Sequence, residues 1–235
     1  MRYAIYFTPG EADPLTRAAE AWIGRSAFTD AAIAEPETAG LTSGEIADCT
    51  VSARRYGFHA TMKAPFHLAE GKSEADLVDA FERWTAARAS FAGPRLVIDR
   101  IDGFFALMQE TRSAELEGLA RDAVVDFDRF RAPPSEAEIA RRNPARLTPR
   151  QVRHLHEWGY PYVMEDFRFH MTLTDRIAAA DAGRIRTALA AHFALLLDDP
   201  IEFASLALFV EREPGAAFTV AAFRTLAGSL ERKTA

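Results

Sequence analysis

Cysteine is almost absent from this chain: Cys49 stands alone among 235 residues. One thiol cannot close an intrachain disulfide, and it excludes the Cys-rich ligand sets that hold structural zinc. Its small-residue surroundings offer no activating neighbour, so it reads as inert. No apolar run approaches the ~20 residues needed to cross a bilayer, and the opening stretch is too short for a signal-peptide core. The expected address is cytoplasmic, with no membrane partner. Excess positive charge is missing as well. Acidic residues outnumber basic ones 34 to 28, for a net charge of −6. That excludes a global basic field for gathering long nucleic acid and leaves room only for a local cationic cleft. Low-complexity tracts and long internal repeats are lacking too. What is present, 49% hydrophobic and 26% charged residues, is the composition of a folded chain with ample core.

The local patterns alternate between strand and helix. Residues 2–8 alternate and are rich in aromatic types, which predicts a strand stopped at Pro9-Gly10. Asp13-Pro14 opens a helix with Leu15, Ala18, Ala19, Trp22 and Ile23 on one face. Residues 29–53 read as loop with at most short helical turns. Ser73 starts a second helix, with Leu77, Phe81, Trp84 and Thr85 as its buried stripe. Strands at 95–101 and 103–109 meet at the tight-turn dipeptide Asp102-Gly103. Ser113 caps a third helix reaching about Phe130. The Arg- and Pro-rich stretch 131–165 breaks the rhythm, with short helices expected at 135–142 and 148–157. A strand at 167–174, a helix near 180–197 and strands near 201–210 and 216–224 complete the chain. Strands first separated by helices and then paired as hairpins predict an α+β fold with largely antiparallel sheet.

Two of the predicted strands share one grammar. Side chains alternate faces along a strand. Gly57-Phe58-His59-Ala60-Thr61-Met62-Lys63-Ala64 sets His59, Thr61 and Lys63 on one face and apolar residues on the other. Phe167-Arg168-Phe169-His170-Met171-Thr172-Leu173-Thr174 sets Arg168, His170, Thr172 and Thr174 on one face, again opposite an oily one. A lone strand histidine is more often a hydrogen-bonded structural residue than a catalyst. Two His-x-Thr copies, about half the chain apart, are much harder to explain as filler.

The pairing suits hydrolysis of a phosphodiester. Such a reaction needs a base for water and an acid for the leaving oxygen, and histidine can serve as either near neutral pH. Thr61 and Thr172 can donate to the non-bridging phosphate oxygens, while Lys63 and Arg168 add positive charge for the transition state. The scheme requires no metal and no cofactor. The two strands are near-equivalent, so base and acid stay unassigned.

Longer strings carry a resemblance. Arg54-Arg55-Tyr56-Gly57-Phe58-His59-Ala60-Thr61-Met62-Lys63-Ala64-Pro65-Phe66, Trp158-Gly159-Tyr160-Pro161-Tyr162-Val163 and the second His-x-Thr strand resemble the 2H phosphoesterase superfamily. That superfamily includes bacterial RNA 2′,3′-cyclic phosphodiesterases, and the match is nearest to its subfamily DUF1045, whose genes lie beside carbon–phosphorus lyase genes. Met62 stands where leucine is expected, on the oily face. The resemblance runs from Met1 to about residue 210. It implies one bilobal, duplicated α+β domain over 1–235, two largely antiparallel sheets with helices on their outer faces around a central cleft. Each half would contribute one His-x-Thr strand, at about 57–66 and 167–174. The genomic association implies a small phosphorylated substrate, 5-phosphoribosyl 1,2-cyclic phosphate, opened to ribose 1,5-bisphosphate. An RNA-end 2′,3′-cyclic phosphate is the alternative substrate, although the acidic charge argues against long RNA. A non-catalytic phosphate-binding module is the alternative outside enzymes.

Other residues are weaker candidates. Tyr6 shares its strand face with Ala4 and Thr8, and with Tyr56, Tyr160 and Tyr162 it is a candidate substrate contact. His154-Leu155-His156, with His67, invites a metal reading. Helical residues two apart do not share a face, which makes that pair poor co-ligands. Arg131, Arg141, Arg142 and Arg146 could belong to a lid over 131–165 that holds a second phosphate, although solvated surface charge is the commoner state of any one.

Overall fold

The computed structural model of the chain describes residues 1–34, 36, 38 and 40–227. The aromatic alternation at its start forms β1 (Arg2–Phe7). The Asp13 carboxylate accepts from the Leu15 amide and Pro14 fills the first turn of α1 (Pro14–Ile23). The stretch expected as loop holds two short helices, α2 (Ser43–Cys49) and α3 (Val51–Tyr56). Thr42 and Glu45 close a capping box on α2, a local signal that outweighs its small, weakly apolar residues.

Next come β2 (Ala60–Phe66), α4 (Glu74–Ala86), the hairpin β3 (Phe91–Ile101) and β4 (Phe104–Gln109), and α5 (Ala114–Asp126). Ser73 and Ser113 cap the two helices at the expected places. The Arg- and Pro-rich segment carries α6 (Glu136–Arg141) and α7 (Pro149–Trp158). The remainder is β5 (His170–Arg176), α8 (Ala182–Phe193), β6 (Pro200–Phe203), β7 (Ser205–Glu211) and β8 (Thr219–Thr225). The strand expected at 201–210 is thus two strands parted at Ala204, because β6 and β7 pair in opposite halves of the sheet. No helix among the described residues is long and apolar enough to cross a membrane.

Every ladder is antiparallel, in the order β6-β3-β4-β5-β2-β1-β7-β8. Read outward from the centre, two four-stranded halves mirror each other: β2-β1-β7-β8 and β5-β4-β3-β6. They join where β2 and β5 pair at Ala60 and Met171. Helices α4 and α5 pack on the first half, and α1 and α8 on the second. A single core fills the space between sheet and helices, with Ile5, Met62, Met171 and Leu173 meeting Trp22 and Phe81. Trp22 anchors α1 by donating from its indole N–H to the Leu173 carbonyl at 3.0 Å. The opposite face of the sheet carries a smaller cluster of Tyr6, Phe209 and Phe218, and Tyr6 of this cluster lines a cleft.

Lys63 departs from the expected alternation. Tyr6 pairs with Thr61 but Ile5 pairs with Lys63, so one extra residue enters β2 between them. The bulge turns Lys63 onto the helix-covered face, where it is 3% exposed. Its ammonium donates to the Val124 carbonyl at 2.9 Å and to the Asp128 carboxylate at 3.2 Å. Burial pushes its pKa down to about 8, against the opposing pull of Asp128. Lys63 therefore ties β2 to the end of α5, away from the cleft where a phosphate contact was expected. Asp128→Ala leaves this buried ammonium with one backbone acceptor, and the expected cost is roughly 2–3 kcal/mol in urea denaturation. Asp128→Asn, which keeps an acceptor, should cost less; equal stability of Asp128→Ala and wild type would disprove the tether.

Candidate active site

Gly57 turns the chain from α3 into β2. Its φ is 76°, and a Cβ there would lie 2.6 Å from the Ala27 Cβ, so the turn is restricted to glycine. His59 follows at the mouth of β2, with Nδ1 2.8 Å from the Gly57 carbonyl. His170 repeats the arrangement at the start of β5, with Nδ1 2.7 Å from the Arg168 carbonyl. A carbonyl oxygen only accepts, so each Nδ1 carries the proton and donates it. The neutral rings therefore present an unprotonated Nε2, which is the atom able to take or return a proton.

The register at Ala60 and Met171 decides what those rings meet. Both of these side chains are fully buried on the helix side. Their neighbours His59, Thr61, His170 and Thr172 therefore point to the other face, from adjacent antiparallel strands. All four line one cavity of about 430 Å³. Both motif strands also lose their regular ladder just past the threonine. β2 bulges beyond Thr61, and β5 shifts against β4 between Thr172 and Arg176. At that shift the Thr174 hydroxyl accepts from the Phe105 amide at 2.9 Å, so Thr174 is a structural link.

Aromatic packing tunes the first histidine. Tyr6, in register with Thr61, stacks on the His59 ring with centroids 3.7 Å apart and planes 20° from parallel. Burial pushes the His59 pKa down to about 4; the Gly57 carbonyl opposes this and His170 adds to it. Burial lowers the His170 pKa too, but the Arg168 carbonyl and the Asp102 carboxylate both oppose the shift.

Tyr56 and Tyr160 line the same cavity. Tyr162 and Arg168 sit apart, on an adjoining apolar cavity of about 130 Å³ that also reaches Thr61 and His170. The cavity lining also includes Arg2, which stood outside the expected candidates, and Arg142, which was expected only as part of a lid. Arg2 shares its strand face with Ala4 and Tyr6, so the same parity that marks Tyr6 also marks Arg2. Arg142, one of the four arginines of the irregular segment, comes to the cavity wall through the fold of α6. Arg2 is held by Glu211, with donor–acceptor distances of 2.5 and 2.9 Å, and Arg55 bonds the same carboxylate. Burial by itself would raise the Glu211 pKa, but these two arginines hold it down at about 2.

The remaining histidines are scattered. His154 lies buried between Glu165 and Asp166, at 3.7 and 3.5 Å, while His67 donates to the Met1 carbonyl and His156 is exposed. Among the described residues no three His, Cys, Asp or Glu side chains gather as a ligand set.

This chain is similar to two curated bacterial proteins. One is the ribose 1,5-bisphosphate phosphokinase PhnN of Janthinobacterium sp. (strain Marseille), 39% identical over 221 residues, which are 92% of this chain and 49% of that protein. The other is PhnN of Laribacter hongkongensis (strain HLHK9), 38% identical over 238 residues, 100% of this chain and 54% of that protein. The chain spans about half the length of these curated relatives. Two solved structures show a looser likeness. They are E. coli LigT complexed with 3′-AMP (TM-score 0.43, 10% identity) and a phosphoesterase (TM-score 0.39, 11% identity). Each alignment covers 96% of this chain and 98% of the other. The sequence profile of the family described as "Protein of unknown function (DUF1045)" matches residues 61–219, and the chain belongs to that family.

Proposed function

We propose that the protein is a metal-independent phosphodiesterase that hydrolyses a small cyclic phosphate, opening 5-phosphoribosyl 1,2-cyclic phosphate to ribose 1,5-bisphosphate. One observation carries this reading: two His-x-Thr segments share one cavity wall, each imidazole hooked through Nδ1 to a carbonyl two residues before it. Two Nε2 atoms so freed are suited to a base and an acid acting on one phosphorus.

His59 is the base and His170 the acid. His59, neutral through burial, takes a proton from water at Nε2 while the water oxygen bonds to phosphorus. The bond from phosphorus to the 2-oxygen of the sugar breaks, and protonated His170 delivers its Nε2 proton to that oxygen. One water is consumed, one P–O bond forms and one breaks, and the histidines exchange protonation states. Thr61 and Thr172 donate to the non-bridging oxygens as charge builds on them. Asp102 favours the charged form of His170 and the Arg168 guanidinium opposes it, while among the described residues no carboxylate acts on His59 in the same way. An anionic substrate raises both pKa values, and the ring with the carboxylate in its surroundings takes the proton.

The curated relatives are named as phosphokinases of ribose 1,5-bisphosphate, the compound this opening would release. A kinase reading of this chain itself has weak footing. Gly71-Lys72-Ser73 matches the end of a nucleotide phosphate loop, but Phe66 stands where the loop needs its first glycine. Ser73 and Asp76 moreover cap each other at the start of α4, which occupies the amides an anion would use.

The rate on this cyclic phosphate should be bell-shaped in pH, with limbs belonging to the coupled pair. His59→Ala and His170→Ala should each lower kcat at least ~10²-fold, and the double variant little further than the worse single. Thr61→Ala or Thr172→Ala should cost on the order of 10²-fold or less. A chelator should change none of these rates. Near-wild-type turnover in either histidine variant, or chelator-sensitive turnover restored by zinc or manganese, would end the mechanism. The assignment of His59 also has a test that needs no substrate. With a folded pKa of about 4 against an unfolded value near 6.5, the folded state binds fewer protons between these values. The stability present above pH ~6.5 is therefore lost as pH falls toward 4, by on the order of 3 kcal/mol. Urea denaturation across that range should show a smaller acid loss in His59→Gln. Equal losses would contradict a neutral His59.

A further inference from the structure

A second cavity, of about 190 Å³, opens beside the first, and Arg2, Tyr56, Pro65 and Arg142 line both. The shared wall is cationic. Glu211 is one buried carboxylate facing two guanidiniums, those of Arg2 and Arg55, so this trio carries a net charge of about +1. Glu211 engages Nε and Nη2 of Arg2, and the Tyr56 phenol is a further side-chain hydrogen-bond partner of that guanidinium. Arg142 has no carboxylate in ion-pair range among the described residues. Its guanidinium lies over the Tyr160 ring, 4.8 Å from the centroid. On the far wall, by contrast, Arg131 is matched by Asp128 and Arg141 by Glu138. In addition to that of Arg176 elsewhere in the first cavity, uncompensated positive charge is thus carried by the shared wall.

Three phenols surround that place. Arg2 and Arg142 both act electrostatically on Tyr6, Arg2 also on Tyr56, and Arg142 also on Tyr160. Guanidinium forks and phenolic O–H groups are the donors that a phosphomonoester takes, since near neutral pH it carries almost two charges and only accepts. A nucleobase would be served poorly here. The apolar cavity lined by Tyr162 and Phe167, which also reaches Tyr160 and His170, is the better place for a flat ring.

We propose that the wall formed by Arg2, Arg142, Tyr56 and Tyr160 is a second anion subsite, which holds a phosphomonoester of the molecule whose cyclic phosphate lies at His59 and His170. The inference rests on the cyclic-phosphodiesterase reading and adds to it the residues that select a substrate by its second phosphate.

The test compares 5-phosphoribosyl 1,2-cyclic phosphate with ribose 1,2-cyclic phosphate, which lacks only the phosphomonoester. A 2′,3′-cyclic nucleotide serves as a third substrate. Wild type should prefer the doubly phosphorylated sugar in kcat/KM. Arg142→Ala should cut that preference by about 10- to 100-fold, mainly through KM, and Arg142→Lys should restore part of it. Arg142 is solvent-exposed at the end of α6, so its replacement leaves the core intact. Calorimetry with ribose 1,5-bisphosphate and ribose 1-phosphate gives the same comparison without turnover, and the affinity gap between them should narrow in Arg142→Ala. An unchanged gap, or equal hydrolysis of both sugars by wild type, overturns the subsite while the hydrolase reading stands. A better rate on the cyclic nucleotide overturns it as well. No turnover of any cyclic phosphate, with an affinity gap that still depends on Arg142, sinks the hydrolase reading and leaves the subsite.

Discussion

The narrow pairing of β2 with β5 is the constraint on which the rest of the molecule depends. The two halves of the sheet meet there in register at Ala60 and Met171. Because side chains alternate with period two, a slip of one residue in either strand would turn its histidine and threonine into the core. The small Ala60 and the adaptable Met171 pack beneath the junction, so the helix-covered face holds the register that the cleft face needs. Site geometry and core packing are therefore two sides of one ladder.

The apolar surroundings that stabilise the sheet also govern protonation at the cleft. Tyr6 belongs to the small cluster with Phe209 and Phe218, and the same ring covers one side of His59. Withdrawing that imidazole from water disfavours its charged form, while the carbonyl hook fixes which nitrogen keeps the proton. His170 has the same hook but a carboxylate in its surroundings. Two segments of equal pattern thereby acquire different electrostatic surroundings, and nothing in the paired His-x-Thr strings specifies that difference.

Charge is distributed on a similar principle. Buried Glu211 has Arg2 and Arg55 as partners, and buried Lys63 has Asp128, so these two deeply placed ions are compensated. Arg142 on the cavity wall rests on an aromatic face instead. A cation left without a carboxylate beside water remains available to an anion.

Much of this was legible from residues alone. Strand parity placed His59, Thr61, His170 and Thr172 on polar faces, and Asp13, Ser73 and Ser113 marked helix starts that the structure retains. These features follow from interactions within a few residues, through side-chain alternation and capping hydrogen bonds, so one chain segment suffices to specify them. Lys63 was misplaced because a bulge is defined by the partner strand, and no count along β2 reveals that Ile5 opposes it. The break at Ala204 was hidden for the same reason, since β6 and β7 differ in their partners rather than in their own pattern. Arg142 reads as surface charge until α6 is folded against the cleft. By itself the sequence determined most of the elements, the faces of the two His-x-Thr segments and the chemical types of residue set on them. The tertiary structure decided which faces meet, which ions are buried and how far each histidine is withdrawn from water, because pairing and desolvation are properties of residues distant in the chain.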